Sequence, residues 1–255
     1  MTVVFDAYAA YYDLLYQDKD YSAEAQFVHD LLAKHGVPAR GDLLELGSGT
    51  GRHAEDFARL GYSLHGVDMS PTMVKTANAR KPADLSEQME FVVGDVRNVR
   101  VNKQFDAVIS LFHVASYQTT NIDLSAMLET AAVHLKAGGV FLFDCWYGPA
   151  VLTDRPVVRV KRMRNDTVEV LRIAEPVIHP NDNVVDVNYS VQVKQSGSDK
   201  MSELHETHCM RYLFSPEVEL LLGLVGLRLV ERVEWLTGKS AGFESWATTF
   251  VAIKD

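Results

Sequence analysis

The segment that most constrains this chain is Leu43-Leu44-Glu45-Leu46-Gly47-Ser48-Gly49-Thr50-Gly51-Arg52. An apolar run stops at alternating glycines, and a helical pattern carrying Ala54, Phe57, Ala58 and Leu60 follows at once. Such glycines let a backbone turn sharply and approach a ligand closely, because no Cβ stands in the way. A strand that feeds a helix through such a loop suits an open parallel sheet, in which ligands bind beyond the carboxyl ends of the strands. One glycine loop is a weak signal by itself. Its spacing is G-x-G-x-G, not the G-x-G-x-x-G of dinucleotide sites.

The surrounding sequence repeats the strand-then-helix rhythm. Asp42–Leu46, Ser63–Val67, Glu90–Val93, Phe105–Leu111 and Val140–Asp144 read as strands. Residues 22–35 read as a helix, with Ser22 as N-cap and a stripe of Phe27, Val28, Leu31 and Leu32. Ser70-Pro71 looks like a cap followed by Pro at the first helical position. Residues 123–135 place Leu124, Met127, Leu128, Ala131 and Leu135 on one helical face. Alternation of this kind predicts an α/β fold, a parallel sheet covered on both faces. After Tyr147 the rhythm changes. Residues 157–212 show period-two patterns such as Val185/Val187/Tyr189/Val191/Val193, broken by Asn181-Asp182-Asn183 and Ser196-Gly197-Ser198-Asp199. A last helix starts at Ser215-Pro216-Glu217, and strands follow at Leu227–Leu236 and Trp246–Ile253. The division this suggests is an N-terminal helical lid segment (1–35), a core domain (36–150 with 212–255) and an antiparallel β insert (151–211).

Composition narrows the function classes. The 255 residues suit one large domain or a domain plus a lobe. A net charge of −9 opposes broad contact with nucleic-acid phosphates. No apolar run approaches the ~20 residues of a membrane span. Cys145 and Cys209 form no framework, and Cys145 reads as a buried strand-end thiol. The start of the sequence lacks the basic-then-apolar pattern of a secretory signal, so a cytoplasmic enzyme is expected.

Two carboxylates join the glycine loop. Asp68 ends the second strand and can accept hydrogen bonds from both hydroxyls of a ribose; Asp95 ends the third and can accept from an adenine amine. Glu45–Gly51, Val67-Asp68-Met69-Ser70 and Gly94-Asp95-Val96-Arg97 together resemble the cofactor motifs of class I S-adenosylmethionine-dependent methyltransferases. The resemblance covers roughly residues 40–148 and 212–253. It implies a seven-stranded Rossmann-like sheet whose last strand is antiparallel. It also implies S-adenosyl-L-methionine as cofactor, with Glu45, Gly47, Ser48, Gly49 and Gly51 around the methionine end and Asp68 on the ribose. Met69 would pack on adenine, Asp95 and the Val96 backbone would read the base edge, and Leu111 would lie beneath the sulfonium end.

Tyr12–Tyr16 with Lys19-Asp20-Tyr21 is similar to the N-terminal segment of sugar-nucleotide N-methyltransferases and glycine N-methyltransferase-like enzymes. There it covers the cofactor, so Tyr12, Tyr16 and Tyr21 become candidate cofactor contacts. An aromatic segment simply packed on the domain is the competing reading. Trp146-Tyr147 and His208–Glu217 are similar to the same group. The acceptor implied is a small molecule, with the amine of a nucleotide-linked amino sugar ahead of a hydroxyl. Where sugar N-methyltransferases often carry a histidine after strand four, this chain has Tyr117, with His113 one turn earlier.

Methyl transfer is an in-line displacement that needs alignment, exclusion of water and a free lone pair on the acceptor. The candidate bases are His113, Tyr117 and Asp144. Candidate acceptor contacts are Trp146, Tyr147, Arg159, Arg172, His208 and Arg211. The Arg155–Arg164 cluster can receive phosphates, although a solvated strand face is the plainer reading. His205-Glu206-Thr207-His208-Cys209 splits its ligands between two strand faces, so no metal is expected there. Rival readings are a nicotinamide-dependent oxidoreductase and a non-catalytic nucleotide-binding module. A homodimer through the insert is possible for a lobe with open strand edges.

Overall fold

The computed structural model describes residues 19–195 and 201–255. Five parallel strands form its centre: β1 (Asp42–Leu46), β2 (Ser63–Asp68), β3 (Met89–Val93), β4 (Phe105–Ser110) and β5 (Leu135–Tyr147). Four more follow in the chain: β6 (Arg159–Arg164), β7 (Val168–His179), β8 (Val184–Gln195) and β9 (Met201–Leu213). They pair antiparallel in sequence order. Last come β10 (Leu227–Glu234) and β11 (Ala247–Lys254). β11 runs antiparallel to β5, and β10 antiparallel to β11. The core order is therefore β3-β2-β1-β4-β5-β11-β10, the seven-stranded pattern with its antiparallel final strand.

Helices clothe both faces. They are α1 (Tyr21–Lys34), α2 (Arg52–Arg59), α3 (Pro71–Arg80), α4 (Asn121–His134), α5 (Gly148–Thr153) and α6 (Ser215–Leu224). Val28 and Leu32 of α1, Phe57 of α2 and Ala77 of α3 pack with Leu43 and Ile109 on one face. Leu124 and Leu128 of α4 and Leu222 of α6 pack with Leu44, Leu46 and Phe143 on the other. Both faces of β1 are thus apolar, which explains the continuous Leu-rich run. Each such Val, Leu, Ile or Phe side chain stabilises the fold by about 1.5–3 kcal/mol on full burial.

Some local expectations need correction. Ser22 does not cap α1; Asp20, two residues earlier, does, its carboxylate accepting from the Ala23 amide at 2.9 Å, because the helix already begins at Tyr21. β5 is longer than Val140–Asp144, absorbing the Gly138-Gly139 turn at its start and reaching Tyr147 at its end. The sequence pattern also passed over α5 and a 3-10 turn at Val114–Tyr117. Elsewhere the signals hold: Ser70 accepts from the Met73 amide at 3.3 Å with Pro71 beside it.

The extension of β5 joins the two sheets. Trp146 and Tyr147 pair with Tyr212 and Leu213 of β9, so β6–β9 stand against the carboxyl end of the core.

Candidate active site

At that end lies a cavity of about 220 Å³, walled by the loops after β1, β2, β3 and β4 and by the insert. Backbone geometry fixes its first wall. The Gly47 and Ser48 amides donate to the Val67 carbonyl at 2.8 and 2.9 Å. Asp68 then ties two loops together, accepting from the Gly49 amide through Oδ2 and the Ser70 amide through Oδ1, each at 2.9 Å. Gly47 sits at φ 83°, and a Cβ there would stand 2.5 Å from Val114. Gly51 lies outside the cavity; it starts α2 at φ 72°, packed against Phe91.

Glu45 forms the floor at 2 % exposure. Burial, reinforced by the charge of Asp68, pushes its carboxyl up to about 8. It is therefore largely neutral at pH 7. Its Oε2 and the Ser48 hydroxyl are buried without a hydrogen-bond partner among the described residues. Buried polar atoms rarely stay unsatisfied, so a site lined by two of them suits a polar ligand. Nearby, Glu24 accepts from Lys19 at 2.9 Å and meets His53 Nε2 at 2.7 Å. The Lys19 ammonium also lies 3.6 Å from the centre of the Phe112 ring, and burial lowers its pKa.

Asp95 reaches the cavity, but its carboxylate already has a partner. Arg97 grips it, with Nε–Oδ1 at 2.9 Å and an Nη2–Oδ2 contact at 2.6 Å. That guanidinium is the main reason Asp95 stays below its ordinary pKa. Arg97 is held in turn by Asp123 at 2.8 Å.

Beyond β4 the backbone is strained. Phe112 and His113 both adopt the left-handed region, at φ 65° and 64°. Two such residues cost on the order of 1–3 kcal/mol each. Asp144 holds them: its carboxylate accepts from the His113 amide at 3.1 and 3.2 Å and lies 2.7 Å from His113 Nδ1. Asp144 is 1 % exposed, and although burial raises its pKa, His113 holds it below the ordinary value. Its carboxylate is thus committed to His113, which corrects the expectation of Asp144 as a base open to the acceptor.

The insert supplies the opposite wall. Tyr117 Oη lies 2.7 Å from His208 Nδ1, and His208 Nε2 lies 3.3 Å from Glu206 Oε2. Tyr189 meets the His208 ring edge-on at 5.0 Å, and Trp146 and Met210 complete the wall.

The expected site residues sort plainly. Tyr21, Glu45, Gly47, Ser48, Gly49, Asp68, Met69, Asp95, Val96, Leu111, His113, Tyr117, Trp146 and His208 line the cavity. Tyr147 does not; its hydroxyl lies 3.1 Å from the Ser215 hydroxyl in the core. Arg159 is exposed on β6, and Arg172 stacks behind the cavity, 4.9 Å over the Tyr189 ring. Arg211 turns to Asn121 at 2.7 Å and Glu217 at 3.2 Å. Tyr12 and Tyr16 lie outside the described residues. Cys145 is fully buried, and burial raises its pKa well above the ordinary value. No cluster of metal-ligating residues occurs among the described residues.

Sequence reasoning missed Arg97, Phe112, Tyr189 and Met210 as cavity residues. Two signals were available. Arg97 follows Asp95 by two, and Met210 shares the strand face of His208 at period two.

Comparison with known proteins agrees with this architecture. A family model described as a methyltransferase domain matches residues 43–139. The dTDP-3-amino-3,4,6-trideoxy-alpha-D-glucopyranose N,N-dimethyltransferase of Streptomyces venezuelae is 31% identical over 237 residues, covering 92% of this chain and 94% of that enzyme. The dTDP-3-amino-3,6-dideoxy-alpha-D-glucopyranose N,N-dimethyltransferase of Streptomyces fradiae is 27% identical over 92% of this chain and 87% of its own. The crystal structure of Streptomyces venezuelae DesVI superposes with a TM-score of 0.79 at 28% identity, covering 97% of this chain and 98% of that one. The chain belongs to the class I S-adenosylmethionine-dependent methyltransferases. Its cofactor is S-adenosyl-L-methionine, which sets aside the nicotinamide reading and the non-catalytic one. The cavity suits that molecule, with apolar Met69, Met73 and Leu111 beside the unpartnered Glu45 and Ser48 atoms.

Proposed function

We propose that this enzyme methylates the amine of a nucleotide-linked amino sugar. The observation that carries the reading is the end-to-end similarity, 92% of this chain against 94% of the Streptomyces venezuelae amino-sugar enzyme. The bound cofactor supplies an activated methyl group on a sulfonium. What remains for the protein is to hold both partners in line, keep water out and leave the acceptor nitrogen with a free lone pair.

In this reading Gly47, Ser48 and Gly49 bring backbone against the methionine end, and Glu45 and Ser48 meet its polar groups. Tyr21 and Leu111 close around that end. Asp68 takes the ribose, Met69 packs on the base, and Asp95 with Val96 reads the base edge. Asp144 fixes His113 beside the reacting groups, and Tyr117, Trp146 and His208 face the acceptor. Of the N-terminal lid segment read at residues 1–35, the described part is α1, which serves as cover, and residues 151–211 serve as the acceptor lobe on a core of 36–150 and 212–255. A cytoplasmic setting belongs to the same reading. So does a homodimer paired along β6, whose Val158 and Val160 flank are 61% and 49% exposed; light scattering that reports a monomer would remove it.

The deciding assay is S-adenosylhomocysteine release against dTDP-linked amino sugars, the matching hydroxy sugars, glycine and simple amines, with mass spectrometry of each product. Turnover confined to amino sugars is expected. Turnover on hydroxy sugars alone would overturn the amine reading.

A further inference from the structure

The insert wall carries a feature that cofactor binding does not require. Glu206 and His208 lie two apart on β9 and face the cavity side together, at 6% and 4% exposure. Their neighbours His205, Thr207 and Cys209 face outward. A buried carboxylate and a buried imidazole are costly groups to place in a wall unless each is paired. Here they are chained: Glu206 Oε2 to His208 Nε2 at 3.3 Å, then His208 Nδ1 to Tyr117 Oη at 2.7 Å. The chain ends on a cavity-lining hydroxyl beside Trp146 and Tyr189. The tautomer with its proton on Nε2, toward Glu206, is the one that presents Nδ1 as acceptor for the Tyr117 hydroxyl.

We infer that Tyr117, His208 and Glu206 form a proton relay that deprotonates the acceptor ammonium before each methyl transfer. This rests on the amine-acceptor reading above. An ammonium N–H bond breaks and a new O–H bond forms on Tyr117. The original Tyr117 O–H bond breaks as an N–H bond forms on His208 Nδ1. The positive charge moves from the acceptor to the imidazole, where the Glu206 carboxylate faces it. The acceptor nitrogen gains its lone pair, and the imidazolium later releases its proton to water. Tyr117 is the catalytic residue; His208 and Glu206 act through it as positioning residues. Other groups around His208 are the Tyr189 ring from β8, with the Arg172 guanidinium of β7 behind it. His113 also lines the cavity, with Asp144 2.7 Å from its Nδ1.

Tyr117→Phe, His208→Asn and Glu206→Gln are tested with an amino-sugar substrate from pH 6 upward, alongside S-adenosylhomocysteine affinity by calorimetry. The relay predicts a fall in kcat/KM of about 100-fold at neutral pH for Tyr117→Phe, within the range for a lost general base. The loss should shrink as pH rises and the free amine forms in solution. S-adenosylhomocysteine affinity should hold within about threefold, and the Tyr117→Phe/His208→Asn double variant should be no slower than the slower single variant. A loss equal at every pH would overturn the relay and leave a packing role. Full activity of Tyr117→Phe would overturn it too. Absence of turnover by the unmodified enzyme on every amino sugar would instead refute the substrate reading on which the relay rests.

Discussion

The two walls of the cavity are built by different means. On the core side the shape comes from backbone: glycines at positive φ, amides bonded to Val67 and Asp68, and a strained Phe112-His113 step held by Asp144. On the insert side it comes from side chains on strand faces: His208, backed by Glu206, and Met210 of β9 and Tyr189 of β8. A backbone wall fits one ligand closely and tolerates little change where it is crowded, as at Gly47, where a Cβ would stand 2.5 Å from Val114. A side-chain wall can be altered residue by residue while the strands beneath stay in place. The first construction suits a cofactor that never varies, the second an acceptor that differs between relatives.

Substitutions can sharpen this contrast. The largest effect is expected from Gly47→Ala. Its Cβ would stand 2.5 Å from Val114 at a φ of 83°, so S-adenosylhomocysteine binding should fall by about 100-fold or more in calorimetry. Binding within threefold of the unmodified protein would show that the loop adapts. Next, His113→Ala should lower kcat by about 10- to 100-fold while cofactor affinity holds within about threefold. Unchanged turnover would remove His113 from the chemistry and leave it as loop scaffolding.

A smaller, pH-dependent effect is expected at Glu45. Its folded pKa lies above its ordinary 4.5, at about 8. The folded state therefore favours the neutral form, and this carboxyl lowers stability progressively as pH rises from about 4.5 to about 8. Glu45→Gln should flatten that decline in denaturant titrations of the ligand-free protein. An unchanged slope across the window would refute the assignment. Smallest of all, Arg159→Ala should change the acceptor KM by less than about threefold, because Arg159 is exposed on β6 away from the cavity. A tenfold rise in KM would bring the arginine cluster back into the acceptor site.

The same contrast explains what could be read from the sequence. The core wall was legible because its parts are local: Glu45 to Gly51 is one stretch, and Asp68 and Asp95 mark strand ends whose place the alternation dictates. The parallel sheet followed from the same rhythm, while its seven strands and antiparallel last strand followed from the family resemblance. The insert wall was legible only as a lobe. Tyr117 and His208 lie 91 residues apart, and no periodicity declares that they touch. Arginines drew attention for their charge, yet Arg159 lies on an exposed strand and Arg211 turns to Asn121 and Glu217. Asp144 looked like an open carboxylate because the positive φ of His113, which brings amide and ring onto it, leaves no mark in the pattern of apolar residues.

The extended β5 strand also bears on how the molecule assembles. Its flank Val140–Trp146 pairs with Ala247–Ile253, and only its last two residues pair with β9. The chain must therefore traverse the entire insert before the central sheet can gain its final strands. Loop closure over such a span lengthens the search for the native pairing, since topologies rich in distant contacts fold slowly. Until β11 arrives, the apolar edge of β5 lies open to other chains. An insert that folds early and docks at Trp146–Tyr147 would shorten that exposure by drawing the two ends of the loop together. The two-residue bridge between the sheets would then guide assembly as well as shape the cavity.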